Sequence, residues 1–200
     1  MKNTPKLLAV AGCLLASALT ANANLIVNGS FEQPTPFSSG GWALYNSIPG
    51  WTATGQHPIE IGAGGTYGVT GFDGNNVMEL DSTGNVEVSQ VATITGGWYN
   101  LSFLYAQRSG VPSMSGSFDI LWNNSLIASF APTSTVMALY ATSVFATGSD
   151  TLTFRGTGTS NSYGALVDDV QLNRVPDGGS TLALLGGALC LIGFVNRRRR

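Results

Sequence analysis

The sequence predicts an all-β chain: a jelly-roll β-sandwich of about eight to ten strands, flanked by an N-terminal signal peptide and a C-terminal hydrophobic helix. Three observations carry this. Short runs rich in β-branched and aromatic residues recur through the middle of the chain, several of them alternating with polar residues. Gly, Asn, Ser and Pro punctuate these runs at short intervals, as the corners of a sandwich require. No long segment between the two ends carries a helical period.

Residues 1–23 begin with Lys2 and Lys6, continue with an apolar run from Leu7 to Leu19, and close on Ala21-Asn22-Ala23. A basic start, a short apolar stretch and a small-x-small site are the parts of a secretory signal peptide, which places the start of the mature chain at Asn24. Residues 24–174 then form one segment of domain size. Within it Val86–Val91, Tyr99–Tyr105, Ser117–Trp122 and Thr151–Phe154 read as strands. Asn123-Asn124, between Phe118–Trp122 and Ser125–Phe130, reads as a hairpin turn, because Asn tolerates positive φ. Gly84-Asn85 suits the turn before Val86.

The chain then runs through Val175, Pro176, Asp177, Gly178, Gly179, Ser180 and Thr181 into an uncharged stretch, Thr181–Val195, and ends in four arginines, 197–200. As helix the 15 residues of 181–195 measure about 22 Å, short of a bilayer core of about 30 Å. Spanning requires that Asp177–Ser180 be drawn in, that the bilayer thin, or that the arginines snorkel. The arginines favour a cytoplasmic C-terminus. An ordinary membrane anchor is the plain reading of this segment. Its order of parts resembles the PEP-CTERM sorting signal in the variant that reads Val-Pro-Asp-Gly-Gly-Ser-Thr. That resemblance implies a sorting-enzyme partner of the exosortase type, at least transient residence in the inner membrane, and a Gram-negative cell surface or extracellular (biofilm) matrix as the destination.

Charge is distributed unevenly. In residues 24–174 only Arg108, Arg155 and Arg174 are basic, against ten Asp and Glu, a net charge of −7 with no lysine. The basic footprint of a nucleic-acid binder is missing. Both cysteines, Cys13 and Cys190, lie outside this segment, so no disulfide can form within it.

Two stretches at opposite ends of the segment become informative together. The first is Asn24–Glu32 and the second Gly164–Leu172. Strict alternation in the second puts Leu166, Asp168, Val170 and Leu172 on one face, a carboxylate among apolar side chains that needs a partner. With the two stretches as neighbouring first and last strands, Glu32 meets Asp168 beside the turn carbonyls of Asn28 to Ser30, a set of hard oxygen donors that suits calcium. The alternative is that Asp168 accepts backbone N–H bonds and Glu32 lies on the surface. Asn-Gly-Ser-Phe-Glu at 28–32 and Val-Asp-Asp-Val-Gln-Leu at 167–172 resemble the galactose-binding-like jelly rolls, which include many carbohydrate-binding modules. Ile48–Trp51, Val77–Asp81, Val88–Gln90 and Tyr99–Phe103 resemble the narrower choice-of-anchor C domains. The wider resemblance implies a structural calcium at Glu32 with Asp168 or Asp169, and Asn28 beside them.

For catalysis the residues offer little. His57 is the sole histidine, no cysteine remains for a nucleophile, and there is neither a Gly-x-Ser-x-Gly nor a lysine for a phosphate loop. Glu79 and Asp81, two apart on one face of a strand, are a carboxylate pair for a glycoside hydrolase, or else a solvated strand face or part of a turn network. For sugar binding, aromatic rings are the expected platforms, and Trp51, Tyr105 and Trp122 are candidates. So is Arg108, in the polar loop Gln107–Pro112 after a strong strand, where binding residues collect. The resulting expectation is an exported, non-catalytic β-sandwich sorted to the envelope or the exopolysaccharide matrix, with carbohydrate binding as its activity and extracellular polysaccharide as its partner. A structural matrix or adhesion protein is the alternative, and a glycoside hydrolase the distant one.

Overall fold

The computed structural model describes residues 23–33, 37 and 40–175. Nearly all of the expected signal peptide, the residues Pro176–Thr181 of the expected sorting motif, and the expected apolar helix lie outside the described residues. Among the described residues no helix is long and apolar enough to cross a membrane.

Among the described residues twelve strands form two six-stranded sheets, a jelly-roll β-sandwich. They are β1 (Trp42–Tyr45), β2 (Ser47–Ile48), β3 (Trp51–Ala53), β4 (Ile59–Ala63), β5 (Asn76–Glu79), β6 (Glu87–Thr93), β7 (Gly97–Gln107), β8 (Phe118–Trp122), β9 (Ser125–Phe130), β10 (Ala138–Ala146), β11 (Ser149–Gly156) and β12 (Ala165–Arg174). One sheet has the order β1-β4-β5-β12-β7-β10 and the other β2-β3-β6-β11-β8-β9. From β5 onward the chain crosses repeatedly between the sheets, and only the β8–β9 hairpin stays within one. That hairpin turns on Asn123 and Asn124, both with positive φ (53° and 62°), the geometry that joins two twisted strands through two residues. The strand count exceeds the expectation because β2 and β3 are only two and three residues long.

Between the sheets lies the main core. Phe103 is fully buried at its centre, with ring contacts to Tyr105, Phe118, Phe130, Tyr140 and Phe154. Trp51 is buried between Phe31 and Phe154. A second, smaller cluster of Tyr67, Val69, Val77, Ala106 and Leu166 covers the outer face of the first sheet. It is closed by the segment that follows the 3₁₀ turn Gly64–Tyr67, which is tied to the far side by Thr70 N–H donating to the Thr135 carbonyl and Met137 N–H to that of Thr70.

The structure corrects two expectations. Alternation along β12 does not hold: its pairing with β7 slips between Asp168 and Gln171, and Asp169 has φ 44°. This bulge reverses the facing of the strand. Val167, Val170 and Leu172 therefore pack in the main core, whereas Leu166 belongs to the outer cluster. Asp168, one residue past Val167, stands on the outer side with Leu166. Likewise, Asn24–Glu32 is not a strand but a run of turns with Asn28 and Phe31 at positive φ. It still lies beside β12, through Leu25 N–H to the Leu172 carbonyl and Val170 N–H to that of Gly29.

Truncating Phe103 to Ala removes the ring on which five others converge. Chemical denaturation of Phe103→Ala should show a loss of about 3–5 kcal/mol, against under about 0.5 kcal/mol for an exposed β10 position such as Ala141→Ser.

Candidate functional site

The outer face of the first sheet carries charge where a sandwich normally carries apolar or solvated residues. Glu60 on β4 and Glu79 on β5 sit opposite each other in register, and both are buried. A buried carboxylate must be matched by donors, and the surrounding loops supply them. Arg108, just past the end of β7, donates from Nη1 to Oε1 and Oε2 of Glu79 at 2.9 and 2.8 Å. Gly164 N–H, entering β12, donates to Glu79 Oε1 at 2.7 Å. The Tyr67 hydroxyl donates to Glu60 Oε1 at 3.0 Å. Gly62, two residues along β4, keeps that path open, since a Cβ there would run into the Tyr67 hydroxyl.

Arg108 is further clamped by rings. Its guanidinium carbon lies 4.9 Å from the Tyr67 ring centroid and 4.6 Å from that of Tyr163, within cation–π range of both. Its hydrogen bonds among the described residues all leave through Nη1, the third being a 3.4 Å contact to the Ser162 carbonyl. Nε and Nη2 thus retain N–H groups for another partner. The loop carrying Tyr163 is fixed from beneath by fully buried Asp81, which accepts N–H bonds from Asn161 and Tyr163 and the Ser160 hydroxyl. Asp81 and Glu79 are therefore anchors of one turn network and not a solvated pair.

Between these loops lies a cleft of about 510 Å³ lined by Tyr67, Arg108, Ser109, Pro112, Asn161 and Tyr163 among others. Tyr163 is 43% exposed and Arg108 21%, so an aromatic ring and a cation both reach the cleft from a buried foundation. A second groove of about 490 Å³ on the outer face of the other sheet is lined by hydroxyls such as Thr52, Ser89 and Thr153, with no aromatic ring. The first has the chemistry of a specific site and the second does not.

Arg108 is the one expected ligand-binding residue that lines this cleft. Trp51 and Trp122 do not: both are interior, and their Nε1–H groups donate to the carbonyls of Asn28 (3.2 Å) and Phe145 (3.0 Å). Tyr105 points into the aromatic core, its ring centroid 4.9 Å from that of Phe130. Each is an inward position of its strand, filled because a sandwich needs bulk between its sheets. Tyr67, Tyr163 and Glu60 were not singled out in the sequence. The available signal was an aromatic in each of the small-residue loops Gly-Gly-Thr-Tyr-Gly and Ser-Asn-Ser-Tyr-Gly.

Of the four residues expected to hold calcium, Glu32 and Asp168 meet at the turn Asp73–Asn76. Glu32 Oε1 accepts the N–H groups of Asn75 and Asn76, both at 2.7 Å. Asp168, fully buried, accepts Asp73 N–H on Oδ2 at 2.6 Å and Asp169 N–H on Oδ1 at 2.7 Å. Asp169 Oδ1 accepts from the Gln171 amide, and the Asn28 carbonyl takes Phe31 N–H and the Trp51 indole. Among the described residues no three Asp, Glu, His or Cys side chains converge on a metal position.

Burial pushes the Glu79 carboxyl up to about 8, opposed by the Arg108 bond and reinforced by Glu60 alongside. Burial likewise pushes Asp168 up to about 8, against the N–H bonds from Asp73 and Asp169. Tyr67 is driven well above the usual phenol range by burial and by the charges of Glu60 and Glu79, so it stays a donor. Asp119 and Asp150 go the other way: burial raises each, but bonds from Ser129 and Arg155, and from Asn123, Gly148 and Thr147, outweigh it and lower them. For Glu79 and Asp168 the folded form holds its proton more tightly than the unfolded chain, so their contribution is complete below about pH 4 and is lost as pH rises toward and through about 8. For Asp119 and Asp150 the contribution is lost as pH falls below about 4. Thermal melting should therefore peak near pH 4 and fall by several degrees toward pH 9, at about 2–4 °C per kcal/mol. Asp168→Asn should flatten the alkaline limb.

Residues 174–199 match the VPDSG-CTERM motif. Residues of the chain also align with "Multifunctional-autoprocessing repeats-in-toxin" proteins: 31% identity over 160 residues for that of Vibrio vulnificus and 32% over 152 for that of Vibrio cholerae serotype O1, covering 78% and 74% of this chain. The chain spans about 3% of the length of these curated relatives. Among solved structures, the CBM35 of Paenibacillus barcinonensis is similar with a TM-score of 0.43 at 19% identity, over 68% of this chain and 100% of that one. A family 35 carbohydrate-binding module of Clostridium thermocellum gives 0.39 at 14%, over 68% and 99%. The chain is thus a β-sandwich followed by a VPDSG-CTERM motif.

Proposed function

We propose that this is an exported, non-catalytic glycan-binding protein, delivered by an exosortase-type enzyme that reads Val175–Thr181 while Thr181–Val195 is held in the inner membrane. Its destination is the cell surface or the extracellular polysaccharide. The observation that supports the binding role is the cleft in which half-exposed Tyr163 and the clamped guanidinium of Arg108 stand side by side. A sugar presents a C–H face that packs on an aromatic ring and hydroxyls that accept N–H bonds. The cleft offers both, already held in place by Glu79 and Asp81, so little ordering is needed on binding. Against hydrolysis, Glu60, Glu79 and Asp81 are all buried and committed to Tyr67, Arg108 and loop N–H groups, whereas a glycosidase needs two carboxyls flanking the scissile bond.

Affinity electrophoresis of the purified chain against bacterial and plant polysaccharides tests this. One polymer class should retard the protein, and Tyr163→Ala should weaken that retardation about tenfold or more, the loss of roughly 1.4 kcal/mol, while the chain stays folded with only the modest loss of stability expected from removing one cation–π contact. Retardation by no polymer would contradict glycan binding and favour a structural or adhesive role. The same gels run with calcium and with a chelator should agree, because Glu32 and Asp168 already hold the Asp73–Asn76 turn. Retardation lost in chelator would show that a bound cation completes the fold.

A further inference from the structure

We infer that the corner formed by Trp98 and Phe145 docks on the bilayer surface while the C-terminal segment is in the membrane. Trp98 on β7 and Phe145 on β10 are paired in register, and their rings meet edge-on at 5.4 Å. Both project from the outer face of the first sheet, 57% and 51% exposed. This is aromatic surface that the fold leaves uncovered, far from the cluster around Tyr67 that covers the other part of the same face.

The course of the chain identifies what it meets. Val175 N–H donates to the Trp98 carbonyl at 3.0 Å, so the backbone leaves the sandwich beside this pair. Thr181, where the apolar run begins, is six residues on, at most about 20 Å of extended chain. With 181–195 in a bilayer, the corner where the tether starts is the part of the sandwich held nearest the lipid. Its chemistry matches that level: Trp is favoured where one part of the ring is apolar and another wet. The next row on the same face, Ser143, Asn100 and Asn173, is polar without a carboxylate. The rest of 24–174 is strongly acidic, so anionic lipid repels the segment as a whole and admits it at this corner. Trp42 is the natural control. It is 54% exposed, but on β1, at the opposite edge of the sheet.

The inference rests on the membrane residence proposed above, and the test separates the two. The full-length chain is reconstituted with vesicles of phosphatidylethanolamine and phosphatidylglycerol carrying brominated acyl chains, and flotation is scored before fluorescence. Flotation is expected, with brominated lipid quenching part of the tryptophan emission. Trp98→Phe should remove most of that quenching, Trp42→Phe should leave it, and Phe145→Ser should reduce it. Failure to float would overturn both membrane residence and docking. Flotation with no quenching, or with equal losses in Trp98→Phe and Trp42→Phe, would overturn docking alone. A pair of chains joined through β10 would shield Trp98 from acrylamide and brominated lipid alike, and that result would also overturn it.

Discussion

The outer face of the first sheet is organised around one constraint, the fully buried carboxylate of Glu79 on β5. Such a group in a low-dielectric site demands several donors at good geometry, and removing one partner is far costlier than replacing both. The donors come from two loops that are distant in sequence: Arg108 after β7 and Gly164 before β12. Satisfying Glu79 therefore fixes the spacing of the loops that form the cleft. Tyr67 and Tyr163 then pack on the guanidinium, and the pair of rings gives the cleft its aromatic wall.

The same device recurs through the fold. Glu60, Glu79, Asp81, Asp150 and Asp168 are all buried, half of the ten carboxylates in residues 24–174. Asp81 holds Asn161 and Tyr163; Asp150 holds Thr147, Gly148 and the Asn123 side chain; Asp168 holds Asp73. In a segment without lysine or cysteine, carboxylates accepting backbone N–H bonds do the loop-fixing that disulfides do in many secreted domains. This is also why the acidic balance translates only partly into acidic surface.

Much of the sandwich was legible in the sequence because alternation survives wherever one strand face is buried: β6, β7, β8 and β11 fall where the β-branched and aromatic runs placed them, and Asn123-Asn124 turns as its residues require. Alternation failed at Asp169, where one residue in a left-handed conformation inserts a bulge and moves Asp168 to the opposite face from Val170. A single-residue slip leaves no mark in hydropathy. The juxtaposition of Asn24–Glu32 with β12 was readable, but the direction in which Glu32 and Asp168 aim their oxygens was not. Arg108 stood out as one of three cations in a polar loop. Trp51 and Trp122 could not be sorted from Tyr163 and Trp98, because an aromatic side chain serves core and surface equally and only the register decides which.

Whether the Glu79–Arg108 contact builds the cleft is tested most directly by a double-mutant cycle with Glu79→Gln and Arg108→Met, followed by urea denaturation. The effects should be strongly non-additive, with a coupling of about 1.5–3 kcal/mol and the double variant more stable than Arg108→Met alone, which leaves buried Glu79 without its main donor. Additivity within about 0.5 kcal/mol would contradict it, and would mean that the two loops are held by the packing of Tyr67 and Tyr163 instead.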